Sequence, residues 1–477
     1  MTQPDSENAA TLRAGAAQVE ITPKAGAHLA GGVGVFRPAQ SVLDPLYAKA
    51  IVLERGGRKI CLVTLDVTIV TRPWTGRIRA AAAEMGFAPD AVMVHAIQTH
   101  SAPPLGHFLL DEDFPNVPAE VEWIRGGETL YYEFAAQRAI EAIRQADESL
   151  QPAQIGVGSA VNDRVAFNRR GVTRDGTVCM PWPYSSRQLP LGPTHLRYME
   201  GPMDPEVGVV CIRNADAQMT AMVLHYTCHP VNVFSHTPNL VVSADWPGAW
   251  AAGMHSVYGE SCVPVVINGC CGNINPWPPF VPDFTPDHRR MGGELAETAY
   301  RVINRMTFGD ASVLDWRIRE VPLKIREVAP DALEAARKVL AEHPQPKWSS
   351  EKPSDVAGDW MSAAQTVSVH LMRQRQPELP YEIQVLRVGD IAIVGLPGEP
   401  FVEGQLRIKI GSPTYPTYVA HCTTQYVGYL PTKEAMARGG HEVRTSYWAK
   451  LRPEALDVVV DNAVELLKEV FPPTPAD

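Results

Sequence analysis

No apolar run in this 477-residue chain reaches the roughly 18 residues that a membrane-crossing helix needs, so no transmembrane segment is expected. The leading MTQPDSENAATLRAG is polar and lacks the apolar centre of a signal peptide, and residues 1–13 are expected to form a disordered lead. Basic residues are in deficit, 43 Lys and Arg against 53 Asp and Glu, for a net charge of −10. A phosphate backbone needs a basic stripe, so nucleic acid is excluded as a partner. The eight cysteines include no CxxC pair, which argues against a structural zinc knuckle. Most of them sit in apolar runs, such as Cys61 in KICLVTL and Cys211 in GVVCIRN, as buried free thiols do. A reduced, cytoplasmic protein is the expectation. There is no HExxH or HxH metal motif, no internal repeat and no low-complexity segment.

What is present is the balance of a globular protein, 45 % hydrophobic and 20 % charged residues. The length exceeds what one hydrophobic core usually spans, so two layers or two subdomains are expected. Proline, at 42 residues, implies many rigid loops. Apolar β-branched runs predict strands at 14–23, 47–54, 59–67, 90–97, 153–161, 204–213, 219–224, 262–267, 381–388, 391–395 and 417–421. Helical composition falls at 75–85, 130–146, 249–258, 292–306 and 453–470. Two polar amphipathic helices at 329–343 and 354–375 read as an insertion, and 171–202 reads as a long ordered loop. The pattern predicts an α/β fold with a mixed β-sheet core flanked by helices, residues 14–477 forming one domain interrupted around 329–375.

The chain is most informative over 221–248, where an apolar run opens into His225, His229 and His236 and a second run ends at Asp245. Histidine is the commonest metal ligand, yet a satisfied core cluster explains the stretch equally well. Further polar residues stand at other predicted strand ends: Asp66, Gln98 with His100, Asn168-Arg169, Asn268 ahead of Cys270-Cys271, Glu399 and Tyr429. Such a pattern lines a cleft along one rim of a sheet core. Two imidazoles and a carboxylate would suit a catalytic zinc with a position open for water, and an arginine nearby would stabilise an oxyanion.

The segments GAAQVEITP, DPLYAKAIVL, VTLDV, QTHSAPP, NRR, GPMDPEV, CHPVNV, NGCCGNINP, GLPGEPF and VGYLPTKEA occur in the order seen in the catalytic domain of the neutral/alkaline, non-lysosomal ceramidases. The chain resembles that family from about Gly15 to its end. The resemblance implies one zinc held by histidines, a glutamate and a tyrosine, and hydrolysis of an N-acyl amide by metal-activated water. By motif, His229 of CHPVN, Glu399 of PGE and Tyr429 of VGY look like metal ligands. Arg169 of NRR looks like the arginine that polarises the carbonyl. Beside these functional readings stand plain ones: a core histidine, a helix-start carboxylate, a core tyrosine and a salt-bridge arginine. Tyrosine can ligate only where a cation lowers its pKa from near 10.

Three departures matter. The family's HTHSGP is here Gln98-Thr99-His100-Ser101-Ala102-Pro103, so a glutamine holds the position of a zinc histidine. Either Gln98 ligates through its amide oxygen, or His100 serves as ligand and catalytic group, or the metal is weakened or lost. Strand alternation disfavours His95 as the substitute. The family's aspartate in GDxxP is Asn273, beside Cys270 and Cys271, whose thiols are candidate nucleophiles or buried small hydrophobes. No segment matches the immunoglobulin-like domain or secretion signal of long ceramidases, so a small soluble amide, ester or lactone is expected as substrate. Asp66, Gln98, Asn268 and Trp277, with the aromatic loop Pro181-Trp182-Pro183-Tyr184, are the expected substrate-binding residues. An esterase, lactonase or isomerase, a ligand-binding homologue without turnover, and thiol catalysis are the alternatives. The sequence allows homo-oligomerisation.

Overall fold

Alternation of apolar residues along the predicted strands places one set of side chains on each face of a sheet, and both sets are buried. The computed structural model describes residues 11–473, apart from 116, 182–195, 237, 282–283 and 350–353. Its strands are β1 (Arg13–Glu20), β2 (Tyr47–Arg55), β3 (Arg58–Leu65), β4 (Val92–Ala96), β5 (Gln151–Val161) and β6 (Glu206–Asn214). They continue with β7 (Met219–Tyr226), β8 (Val263–Asn268), β9 (Leu314–Lys324), β10 (Glu378–Val388), β11 (Ile391–Gly395) and β12 (Thr417–Ala420). The helices are α1 (Arg72–Glu84), α2 (Thr129–Glu148), α3 (Asp245–Tyr258), α4 (His288–Ile303) and α5 (Pro330–Glu342). After these come α6 (Gly358–Arg375), α7 (Val402–Gly411), α8 (Lys433–Arg438) and α9 (Ala455–Val470).

The same unit occurs three times. Three strands pair antiparallel in sequence order, a helix crosses over, a fourth strand joins parallel to the third, and a second helix packs behind. Strands β1 to β4 with α1 and α2 form the first, β5 to β8 with α3 and α4 the second, and β9 to β12 with α7 and α9 the third. β1 pairs with β5, joining the first two units into one sheet of nine strands that includes the short strand Phe308–Gly309; the third is a separate four-stranded sheet. The mixed α/β class expected from the sequence is the one found. The absence of repeats in the sequence is not matched by the structure, because the unit recurs in topology without recurring in residues.

Local sequence explains each hairpin. Gly56 and Gly57 both have positive φ, +57° and +79°, which the two-residue turn between β2 and β3 requires. Ile51, Leu53, Ile60, Leu62 and Met93 of the first unit point inward and meet Val210, Ile212, Val223 and Val265 of the second and Leu386, Val388, Ile391 and Ile393 of the third. The opposite faces are covered by helices, with Trp246 and Trp250 of α3 and Leu295 of α4 against the second unit, and Val459, Val460 and Ala463 of α9 belonging to the cluster that includes Tyr381, Ile383 and Val385. Three elements escape the sequence reading, one of them the six-residue α8. β9 alternates apolar with charged residues and contains Pro322, and α7 has hardly any amphipathic contrast.

Within a unit the first, third and fourth strands point the same way, so the connections leaving them emerge at one end. The connection between first and second strands is long in every unit: 21–46, 162–205 and 325–377. The third holds the helical hairpin α5–α6. It packs on the first, where Val356 N–H donates to Gly34 O at 2.7 Å. The stretch 171–202 contains short strands Gly171–Thr173, Val178–Cys179 and Leu196–Met199 rather than a bare loop, while Trp182 and Tyr184 lie outside the described residues. No helix among the described residues is long and apolar enough to cross a membrane.

Asn268, at the end of β8, joins the three units. Its Nδ2 donates to Ile97 O of the first at 3.0 Å, and its Oδ1 accepts Cys228 N–H of its own unit at 3.2 Å. Its main-chain oxygen accepts His421 N–H of the third at 3.1 Å. Asn268 is fully buried among backbone groups and acts as a structural junction. Removing its side chain strands a buried C=O and a buried N–H, each at about 1–3 kcal/mol. Asn268→Ala is therefore expected to lower unfolding free energy by about 2–5 kcal/mol, read from urea midpoints at constant m-value.

Candidate active site

The connections that leave the strands at this end line a cavity of about 90 Å³ with side chains of the first and third units, and the second unit brings His229 against Glu399 and Arg169 against Tyr429 behind that wall. Gln98 and His100 follow β4, His229 lies between β7 and α3, Glu399 between β11 and α7, and Tyr429 after β12. A short parallel pairing sets Glu399 directly beside Tyr429. Arg169 arrives from the long connection between β5 and β6, its N–H bonded to Asn273 O at 2.8 Å. His100 is packed against Gly31, whose φ of +97° and lack of a side chain are both needed: a Cβ there would sit 2.6 Å from the imidazole.

His229 and Glu399 form the centre. His229 Nδ1 is 3.0 Å from Ile274 O, an acceptor, so Nδ1 carries the proton; Nε2 then faces Glu399 Oε2 at 3.1 Å. Burial, followed by the field of Arg169, pushes His229 below its ordinary pKa and favours the neutral ring. A neutral ring would turn a lone pair on a carboxylate oxygen, so a proton or a cation belongs between them. Burial alone would raise the Glu399 carboxyl, but the contact with His229, the hydrogen bond from Tyr426 OH at 2.7 Å and the field of Arg169 hold it well below the carboxylate range. Burial, together with the field of His229, keeps His100 uncharged; its ring lies edge-on to His229 at 5.6 Å, and its buried Nδ1 has no hydrogen-bond partner among the described residues. Among the described residues, no group of three His, Cys, Asp or Glu side chains is disposed to hold a metal. The converging donors are His229 and Glu399, with the Tyr429 phenol and the orphaned His100 nitrogen on the same cavity wall.

Arg169 is held on every side. Its Nε pairs with Glu442 at 2.8 Å, Nη1 donates to Asn275 Oδ1 at 3.3 Å, and Nη2 donates to Tyr429 OH at 3.1 Å. Glu442 also binds Arg170 at 2.5 Å, and Arg170 in turn pairs with Glu200. Burial and the Glu399 charge raise the Tyr429 phenol well above its usual value, while Arg169 opposes them.

Of the sequence candidates, His100, Arg169, His229, Glu399 and Tyr429 thus come together, and Gln98 lines the same cavity. Asp66, Asn268 and Trp277 do not. Asp66 pairs with Lys49 at 3.3 Å, accepts Tyr47 N–H at 2.9 Å, and lines a separate cavity of about 390 Å³. Asn268 is spent on the junction between units. Trp277 is buried and outside the cavity wall. The histidine cluster also separates. His225 stacks on Tyr418 beside Val419 O and His236 bonds to Pro286 O, leaving only His229 in the site. Asp245 begins α3, where its carboxylate accepts Val233 N–H at 2.8 Å and so shapes the loop that carries His229. Cys270 and Cys271 are fully buried, and burial pushes both thiols up, away from nucleophilic thiolate. Tyr426, Glu442, His441 and Trp448 were not legible in sequence; only proximity to Tyr429 in QYVGY hinted at Tyr426.

The fold resembles the crystal structure of neutral ceramidase from Pseudomonas aeruginosa, with a TM-score of 0.70 and 17% identity over 98% of this chain and 76% of that one. A structure of ceramidase complexed with C2 gives a TM-score of 0.69 and 16% identity, covering 98% of this chain and 77% of that one. No protein-family model and no curated protein matches the chain.

The Arg169–Glu442–Arg170 network makes a pH prediction. Burial would raise Glu442, but the two arginines hold it below its ordinary value. A depressed folded pKa adds stability that is full above the unfolded value of about 4.3 and is lost as pH falls through the folded one. Glu442→Gln is expected to cost about 3–5 kcal/mol at pH 7, by leaving buried arginine charge unpaired. Urea titrations should show the gap from wild type narrowing below about pH 4.

Proposed function

We propose that this chain is a ceramidase-like hydrolase that cleaves a C–N amide bond of a small or N-acyl substrate with the help of one divalent metal, zinc being the first candidate. The carrying observation is the His229–Glu399 contact, in which a neutral Nε2 and a carboxylate oxygen lie 3.1 Å apart in full burial. Such a pair suits a shared cation. His229, Glu399 and Tyr429 would hold it, with His100 through the unpartnered Nδ1. When bound, a divalent cation lowers the pKa of water and polarises a carbonyl.

The protein's own groups supply the rest. Arg169, fixed by Glu442 and Asn275, directs its guanidinium to Tyr429 OH and so favours the phenolate over the neutral phenol. It also places positive charge beside the cavity, where the carbonyl oxygen gains negative charge as water adds to the carbonyl carbon. When the C–N bond breaks, the leaving nitrogen must take a proton, and the products are a carboxylate and an amine. The attacking water supplies that proton. Phe108, Leu109, Tyr426 and Trp448 exclude water and suit a small apolar acyl end, in keeping with a cavity of about 90 Å³. The seven buried cysteines form no disulfide, in keeping with a reducing, cytoplasmic setting.

Elemental analysis of protein purified without chelator, with turnover of paired amides and esters, tests the reading. About one divalent metal per chain is expected in wild type and none in His229→Ala or Glu399→Ala, with amide turnover lost in both. Arg169→Ala is expected to retain metal and to lose about 10²-fold in kcat. Full activity in both ligand variants would refute the mechanism.

A further inference from the structure

Gln98 occupies the most constrained backbone position in the cavity. Its φ is +68°, in the left-handed region that a glutamine rarely adopts, and it is 2 % exposed. Strain of this kind persists where the surroundings force a particular side-chain placement. Here the surroundings engage one end of the amide. The backbone N–H is bonded to Val67 O at 3.1 Å, and the side-chain Oε1 accepts the Cys271 thiol at 3.4 Å. Burial raises the Cys271 pKa, so Sγ keeps its proton and serves as donor. Asn268 Nδ2 and the His421 ring lie 3.7–3.8 Å from the same sulfur and fix its position. With Oε1 turned to Cys271, the amide has only its NH₂ left to present, and Nε2 has no hydrogen-bond partner among the described residues while Gln98 lines the cavity beside His100, Glu399 and Tyr429.

Resting on the amide-hydrolase reading above, we propose that Gln98 is not a metal ligand but a hydrogen-bond donor to the substrate carbonyl, and that Cys271 is the positioning residue that turns its amide so. As the water oxygen bonds to the carbonyl carbon, the C=O π pair moves onto oxygen. Nε2–H donates to that oxygen without giving up its proton, and the pair returns when the C–N bond breaks. Gln98 and Arg169 would then approach the same developing charge from different units of the fold. A ligand role would require Oε1 to face the cavity, which would bring the NH₂ against the thiol proton.

The test uses Gln98→Met, which keeps length and removes the donor, with Cys271→Ala and Cys271→Ser, assayed on acetyl, butyryl and octanoyl p-nitroanilides with metal content measured on each protein. Gln98→Met is expected to keep the wild-type metal stoichiometry while kcat falls about 10²-fold and KM changes little. Cys271→Ala is expected to lose about 10-fold in kcat, and Cys271→Ser to recover most of it, because a hydroxyl also donates to Oε1. A purely structural cysteine would show no such recovery. Loss of metal from Gln98→Met would make Oε1 a ligand and overturn the proposal, as would an unchanged kcat in a metal-loaded variant. A wild-type protein without amide turnover would overturn the hydrolase reading and this inference with it.

Discussion

Three strand ends meet beneath the cavity, and the site depends on their meeting. Asn268 ends the fourth strand of the second unit, His95 lies on that of the first, and His421 follows that of the third. His95 Nε2 accepts Asn268 N–H at 3.1 Å, His95 Nδ1 lies 2.6 Å from His421 O, and His421 N–H donates to Asn268 O at 3.1 Å. Each unit would otherwise end with unpaired backbone groups in a dry interior, which is costly. Closing these bonds fixes the relative placement of the loops that carry Gln98 and His100, His229, and Glu399 and Tyr429. Burial keeps His95 and His421 uncharged, as a junction of backbone acceptors and donors needs.

Above the junction, charge is arranged in two layers. Glu399 is ionised against burial because His229, Tyr426 and Arg169 face it. Arg169 is in turn neutralised by Glu442, which it shares with Arg170. Buried ion pairs add little net stability when complete and are costly to break. Their contribution here is geometric: they hold a guanidinium in one orientation beside a phenol in a cavity too small to reorganise. The unpartnered His100 nitrogen and the strained Gln98 stand where an interior built for stability alone would have satisfied the one and relaxed the other.

Much of this was legible in sequence, for particular reasons. Strands with β-branched apolar alternation, such as YAKAIVLER and RKICLVTL, reveal themselves because two-sided burial demands apolar residues at every position. His229, Glu399 and Tyr429 were found because each sits in a short motif at the end of such a run. Asp66, Asn268 and Trp277 look the same by that criterion and have other surroundings: Lys49 for the first, backbone of three units for the second, interior packing for the third. Glu442 carries no local signal, since its two arginines are 272 and 273 residues away.

By itself, the sequence determined which segments pair locally, which faces are buried, and which residue types stand at strand ends, because these follow from periodicity and turn chemistry over a few residues. The tertiary structure alone decided that one unit recurs three times, that only one of three neighbouring histidines reaches Glu399, and which end of the Gln98 amide faces the cavity. Those outcomes are set by contacts between residues far apart in the chain, where the energy of a buried hydrogen bond depends on a partner that no local pattern specifies.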